Sequence, residues 1–378
     1  MRLSKFTWFL VAVITIIYTA IFIVIRVQNP HHIQATSYQQ WRKTYVIKQS
    51  ANRAFVNTSN QRSKPVALSE GQGYGLYITA AAGKHGWASS RDFDQLLNYY
   101  LAHRDRVGET HQTRTYLMKW RQYQKKGHWV SDINSATDGD LFIAMALHQA
   151  AQIWPKRAAY YRNLEHHLTN DILAYEYNPQ TKALTVGDWA TSKSKYYRLM
   201  RTSDVAPTFF DAFYHSSHDP RWRTVKNGML DRLADLSAQH QTGLVPDFAW
   251  ITADSAKPVK PWTVASENDG NYSANACRVP MMLAASKDPR AQKTLSRMMR
   301  FFSHRTHVTA GYTLTGQQLN HYQSASFSAP IFEAVSFNRN HGYDNLFSSQ
   351  KFVFSKPLPK DNYYDATLTT IAAMEGMN

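Results

Sequence analysis

The sequence predicts an all-α chain: a closed helical toroid with one working face, preceded by a single N-terminal transmembrane helix. Three observations carry that expectation. Apolar residues return at three- and four-residue spacing in about eleven or twelve successive segments. Alternating strand patterns are few and short, and no fixed sequence period marks a helical solenoid. An unbroken uncharged run, Phe6 to Ile25, opens the chain between the basic residues Arg2, Lys5 and Arg26.

That run is 20 residues long. At about 1.5 Å per residue it spans a hydrocarbon core of roughly 30 Å. Only Thr7, Thr15, Tyr18 and Thr19 interrupt its aliphatics. A cleaved signal peptide is the rival, but its apolar core is usually shorter, and no small-x-small cleavage site follows Ile25 closely. The expected organisation is a membrane anchor or signal segment over 1–30 and one domain over 31–378.

Helices are expected over roughly 38–49, 73–83, 90–103, 139–154, 157–172, 205–216, 221–240, 274–286, 289–303, 321–337 and 361–375. Within 90–103, Phe93, Leu96, Leu97, Tyr100 and Leu101 share one stripe. Within 139–154, Leu141, Ile143, Ala144, Leu147, Ala150, Ala151 and Trp154 repeat the spacing until Pro155 stops it. Val186-Gly-Asp-Trp and Gly243-Leu-Val-Pro-Asp-Phe read as loop or brief extended pieces. The distinctive residues Gly71, Gly73, Gly75, Gly187, Pro246 and Gly270 fall between helices.

Composition narrows the function. The 378 residues carry 43 basic and 27 acidic side chains, a net charge of +16. The basic residues are scattered, with no Lys/Arg run, zinc knuckle or aromatic RNA-binding box, so the charge points to an anionic membrane or cell wall and not to nucleic acid. The single cysteine, Cys277, excludes an internal disulfide and a cysteine-based metal cluster. His166-His167 and His215-Ser-Ser-His218 lack the Glu of a zinc motif, so neither metal nor cofactor is expected.

Two segments carry chemistry. Glu70 stands in Leu68-Ser-Glu-Gly-Gln-Gly-Tyr-Gly75, where three glycines in five residues leave the backbone open to a ligand. A nucleotide loop would need a different glycine spacing and a parallel sheet. Asp138 and Asp140 lie in Asn134-Ser-Ala-Thr-Asp-Gly-Asp at the mouth of a strongly apolar helix. One acid there would serve as a cap. Two are more than capping needs, and like charges side by side push one pKa up.

Together these segments resemble glycoside hydrolase family 8, a family of endoglucanases, lichenases, xylanases, chitosanases and cellulose-synthesis hydrolases. The resemblance rests on Ser69-Glu-Gly-Gln-Gly-Tyr-Gly75, on Ser135-Ala-Thr-Asp-Gly-Asp140 continuing to Trp154, and on Asn275-Ala-Cys-Arg-Val-Pro280. Gly187-Asp-Trp189 adds to it, together with Arg201-Thr-Ser-Asp204 and Pro207. It covers roughly 40–370 and implies an (α/α)6 barrel that hydrolyses β-linked polysaccharide with inversion. Inversion needs an acid and a base about 6.5–9.5 Å apart, on opposite faces of the sugar. The resemblance makes Glu70 the acid, sets Asp138 against the distorted sugar, and gives Asp140 to the loop or the sugar. The cellulase branch keeps its base where this chain has Asn275, and a neutral amide cannot serve. A second branch supplies the base from a preceding loop. Glu267 is the first choice here, with Asp247 and Asp269 as the others. Sugar contacts are expected from Tyr74, Trp129, Trp189, Asp204, Trp250, Tyr272, Asn275 and Arg278, although Arg278 could instead pair with a site carboxylate. An anchored enzyme of this kind would face the extracytoplasmic side. Its partners would be the polysaccharide, the membrane and an exopolysaccharide synthase complex. The alternative is a weak or inert glycan-binding protein that lost its base.

Overall fold

The computed structural model describes residues 4–61, 63–108 and 110–377, and residues 20–28 by their backbone alone. Its helices are α1 (Lys5–Gln28), α2 (Pro30–Tyr45), α3 (Ser69–Lys84), α4 (Ser90–Ala102), α5 (Thr137–Ile153), α6 (Ala158–Tyr175), α7 (Pro207–Ser217), α8 (Arg221–Ala238), α9 (Val279–Leu283), α10 (Pro289–Ser303), α11 (Ala325–Phe337), α12 (Asp344–Gln350) and α13 (Tyr363–Gly376).

Two kinds of helix alternate along the chain. α3 is buried on every side from Gly71 to Ala82, and α11 from Ser326 to Val335. α10 buries one stripe, Ala291, Thr294, Leu295, Met298, Met299 and Phe302, and turns its charges to water. The wholly apolar kind belongs inside a ring and the striped kind outside it. The packing agrees: α3, α5, α7, α9, α11 and α13 contact one another in succession, and α13 closes onto α3. Around them lie α2, α4, α6, α8, α10 and α12. This is an (α/α)6 barrel. Each inner helix is preceded by an outer one that runs back, so the inner helices run parallel and all begin at one end. The segments leading into them meet there.

Glycine sets the closeness of two inner helices. A Cβ on Gly73 would lie 2.8 Å from the Phe142 Cβ, and one on Gly139 would lie 2.6 Å from the Ser69 carbonyl carbon. With hydrogen in both places, the starts of α3 and α5 nearly touch.

The structure departs from the sequence reading in several places. Residues 104–131 form short antiparallel hairpins that the helical reading overlooked. One turns at Lys126-Gly127, with φ of 51° and 80°, the two-residue turn that suits paired strands. The first barrel helix spans Pro30–Tyr45 rather than 38–49, because Val46–Ser50 pairs with Arg53–Val56. Asn29 starts it, accepting from His31 N at 2.9 Å with Pro30 at the first position. The helix expected over 274–286 is one short 3-10 turn, Ala276–Arg278, followed by α9. α12 was not anticipated.

Among the described residues no helix is long and apolar enough to cross a membrane. The expected transmembrane helix is therefore not supported by the structure. α1 occupies its place, exposes Phe6, Trp8, Phe9, Ile14 and Ile16, and packs on α2. The far end of the Phe6–Ile25 run falls among side chains outside the described ones.

Candidate active site

Glu70 is the second residue of α3 and Asp138 the second of α5, so the close approach of these helices brings the two carboxyls together. Arg278, at the end of the 3-10 turn before α9, reaches between them. Its Nη1 donates to Glu70 Oε2 at 2.9 Å, to the Tyr74 hydroxyl at 2.8 Å and to Asp138 Oδ2 at 3.3 Å. Its Nη2 donates to Asn275 Oδ1 at 2.9 Å. Arg201, at the end of the strand Leu199–Arg201, lies 2.8 Å from Asp138 Oδ1 and 3.5 Å from Asp204. Three carboxyls thus share two guanidiniums.

The imbalance separates the carboxyls electrostatically. Burial pushes Glu70 up to about 7, Arg278 pulls it down, and the charge of Asp138 with their shared hydrogen bond raises it. Burial also works against Asp138, but Arg201 and Arg278 together hold it below the usual carboxylate range. Burial takes Asp204 up to about 7 despite Arg201. These surroundings favour the protonated form of Glu70 and Asp204 and the ionised form of Asp138. The Glu70 side chain is 19% exposed, so a ligand can reach it.

The candidate bases have different surroundings. Asp247 is buried. Its Oδ1 accepts from Ala276 N at 2.7 Å, Ser273 N at 3.0 Å and Asn275 N at 3.1 Å, and its Oδ2 faces the Asn275 amide at 3.4 Å. It clamps the turn that presents Asn275 and Arg278. Burial carries it up to about 6 against those donors. Asp269 is equally buried and accepts from Val264 N, Ala265 N and Ser266 N at 2.6, 3.0 and 3.0 Å, which shapes its own loop. Glu267 stands exposed on that loop.

The remaining expected residues fall in three groups. Asn275 and Arg278 belong to the cluster, as does the Tyr74 hydroxyl, but the Tyr74 ring is wholly buried edge-on against Phe142. Tyr272 is wholly buried between Phe302 and Phe327, so it is a core residue and offers no face to a sugar. Asp140 is buried too. It accepts from Met118 N at 2.8 Å and, through burial and then Glu176, Asp188 and Asp105, is pushed well above the carboxylate range, which makes it a loop support. Trp129 is 39% exposed on a hairpin strand. Trp189 and Trp250 are half-buried on either side of Tyr196, edge-on and stacked respectively. The sequence reading did not single out Arg201 or Tyr364. Tyr364 donates to the Ala274 carbonyl at 2.7 Å beside the Asn275 turn. Arg201 was findable as the first residue of Arg-Thr-Ser-Asp, three before the acid it pairs with. Nothing around Tyr364 marks it.

A carboxyl with a raised pKa beside one with a depressed pKa stands at the end of a helical barrel where six segments meet. The chain belongs to the glycosyl hydrolases family 8, whose model matches residues 12–375. It is 28% identical to a beta-glucanase of Niallia circulans over 80% of this chain and 76% of that one. It is 24% identical to an endoglucanase of a Bacillus species over 86% of this chain and 75% of the relative. The solved apo structure of a beta-1,3-1,4-glucanase from Paenibacillus sp. X4 superposes with a TM-score of 0.80 at 25% identity, covering 92% of each chain.

Proposed function

We propose that this protein is an inverting, endo-acting hydrolase of β-1,4-linked polysaccharide, either a cellulose-like glucan or a bacterial exopolysaccharide. Glu70 protonates the leaving glycosidic oxygen, Asp138 meets the sugar beside the scissile bond, and a loop carboxylate activates water from the other face. The observation that carries this reading is the raised Glu70 beside the depressed Asp138. The glucanase names of the relatives support a β-glucan.

Glu267 is the proposed base. Asp269 spends both oxygens on backbone amides, and Asp247 spends Oδ1 on three of them with Oδ2 facing the Asn275 side chain, whereas Glu267 is exposed and free to face a bound water. Glu267→Ala should lower kcat about 10²–10⁴-fold on a soluble β-glucan, with added azide restoring turnover and giving the inverted glycosyl azide. Turnover equal to wild type would move the base elsewhere. Asn275 in the place of the cellulase-branch base favours one second reading, a glycan-binding protein without hydrolysis. Binding of cello-oligosaccharides with no reducing ends released by wild type would establish it.

The chain is further proposed to be held at an extracytoplasmic membrane face by α1, beside a polymer-exporting synthase. The Phe6–Ile25 run and the exposed apolar side chains of α1 support this. Recovery of the full chain in an alkaline carbonate-washed membrane fraction tests it. A chain released into the wash would sink the anchor.

A further inference from the structure

A second depression lies beside the site, at the far end of one small sheet. Leu199–Arg201, Phe248–Ile251 and Ala256–Pro258 form that sheet, with Arg201 opposite Phe248 and Leu199 opposite Trp250. Its near end carries Arg201 and, one residue before Phe248, Asp247. Its far end opens into a cavity of about 670 Å³ bordered by Lys195, Arg198, Trp250 and Lys257. Arg198 precedes Arg201 by three residues, so the cavity wall begins about 10 Å along the strand from the active-site guanidinium.

The chemistry of this cavity is one-sided. Lys195, Arg198 and Lys257 are all exposed, and none forms an ion pair among the described residues. No carboxylate borders the cavity. Two acids nearby already accept hydrogen bonds: Asp254 from the Thr252 hydroxyl at 2.8 Å and Asp235 from Ala256 N at 2.8 Å. The aromatic wall is ordered, with Lys195 Nζ 4.8 Å over the Tyr196 ring and Tyr196 stacked on Trp250 at 6.3 Å. An adjoining cavity of about 630 Å³ shares Ser192 and Tyr197 with it and adds Trp189, Lys193 and one carboxylate, Asp188, which accepts from Ser135 N at 2.9 Å. Flat rings accept the apolar face of a sugar. Uncompensated cations accept carboxylate, sulfate or phosphate.

We propose that this basic, aromatic trough binds an acidic polysaccharide, a β-glycan bearing carboxylate or similar anionic substituents, and feeds it to the Glu70 site. The proposal rests on the glycosidase reading and names its substrate class. A cationic amino-sugar polymer is disfavoured by the same charges and by the +16 of the whole chain. A lipid surface is disfavoured by position. α2 begins beside the other end of α3, where His31 lies 5.9 Å from His85, the residue that follows α3. That is about 22 Å along the helix from Glu70, so a membrane holding α1 lies away from the trough.

The test is binding by the full-length Glu70→Gln chain, which separates affinity from hydrolysis. The ligands are carboxymethylcellulose and neutral hydroxyethylcellulose of matched length. At low salt the carboxymethyl polymer should bind about tenfold more tightly, the sum expected of three exposed pairings. The difference should vanish at about 1 M salt, where screening acts within ~3 Å. The triple variant K195Q/R198Q/K257Q should lose the preference and keep its affinity for the neutral polymer. Equal affinities in the parent chain, or a preference that survives the triple substitution, would overturn the proposal. So would binding to phosphatidylglycerol vesicles that the triple substitution abolishes while the polymer preference persists. Hydrolysis of neutral β-glucan by the wild-type chain reports separately on the glycosidase reading.

Discussion

Glu70 and Asp138 occupy the same position on neighbouring helices, yet they are driven apart. Each is the second residue of an inner helix, where the N-terminal dipole favours a carboxylate. Asp138 is buried, Glu70 is partly so, and each touches Arg278. What separates them is Arg201. It stands against Asp138 at 2.8 Å and acts only weakly on Glu70. One guanidinium more or less decides which carboxyl keeps the proton. Role at this site is set by what surrounds a side chain and not by its place on the helix.

The comparison can be broken at several points. The largest effect is expected from Glu70→Gln, which removes the transferable proton and should lower kcat by about 10³-fold or more. kcat on a soluble β-glucan checks it, and activity within tenfold of wild type would remove Glu70 from the acid role. Arg201→Met should cost about 10²-fold in kcat. Without its main counter-ion Asp138 competes for the proton, and because Arg201 lowers both acids, the basic limb of the pH–rate profile should move to higher pH. Asp138→Asn should move that limb the other way, because the like charge that raises Glu70 is gone.

How much of this was legible beforehand depends on the kind of signal. Apolar periodicity placed eleven of the twelve barrel helices, α2 and α9 with shifted bounds, because a helix face repeats within a few residues. It overlooked α12, a seven-residue helix too short to show a stripe. It also overlooked the 104–131 hairpins, whose alternating side chains are mostly polar. Glu70 and Asp138 were visible in their motifs. The partners that set their charge come from segments up to 208 residues away in the chain, and no local pattern announces them. Tyr272 shows the same limit in reverse: its loop surroundings suggested a sugar contact, and packing put it in the core.

A smaller, global effect follows from the interior acids. Burial lifts Asp105 and Asp204 to about 7 and Glu176 to about 8, alongside Glu70 at about 7 and Asp247 at about 6. A carboxyl whose pKa is raised on folding holds more protons folded than unfolded between its ordinary and its raised value. Stability therefore falls as pH rises through that window. The melting temperature should drop from about pH 5 to pH 8, and Glu176→Gln should flatten the slope. A melting temperature that rises across that range would contradict these environments. Smallest of all, Asp269→Asn should loosen the 264–269 loop, raising KM a few-fold with kcat nearly kept. An unchanged KM would separate the loop from substrate.

The most direct measurement is a difference infrared titration of wild type against Glu70→Gln, following the protonated-carboxyl band. That band should persist through mildly acidic pH in wild type, disappear near pH 7, and be missing from the variant. A Glu70 band already lost near 4.5, the ordinary value for a glutamate, would contradict the assignment of Glu70 as the proton-bearing member of the pair.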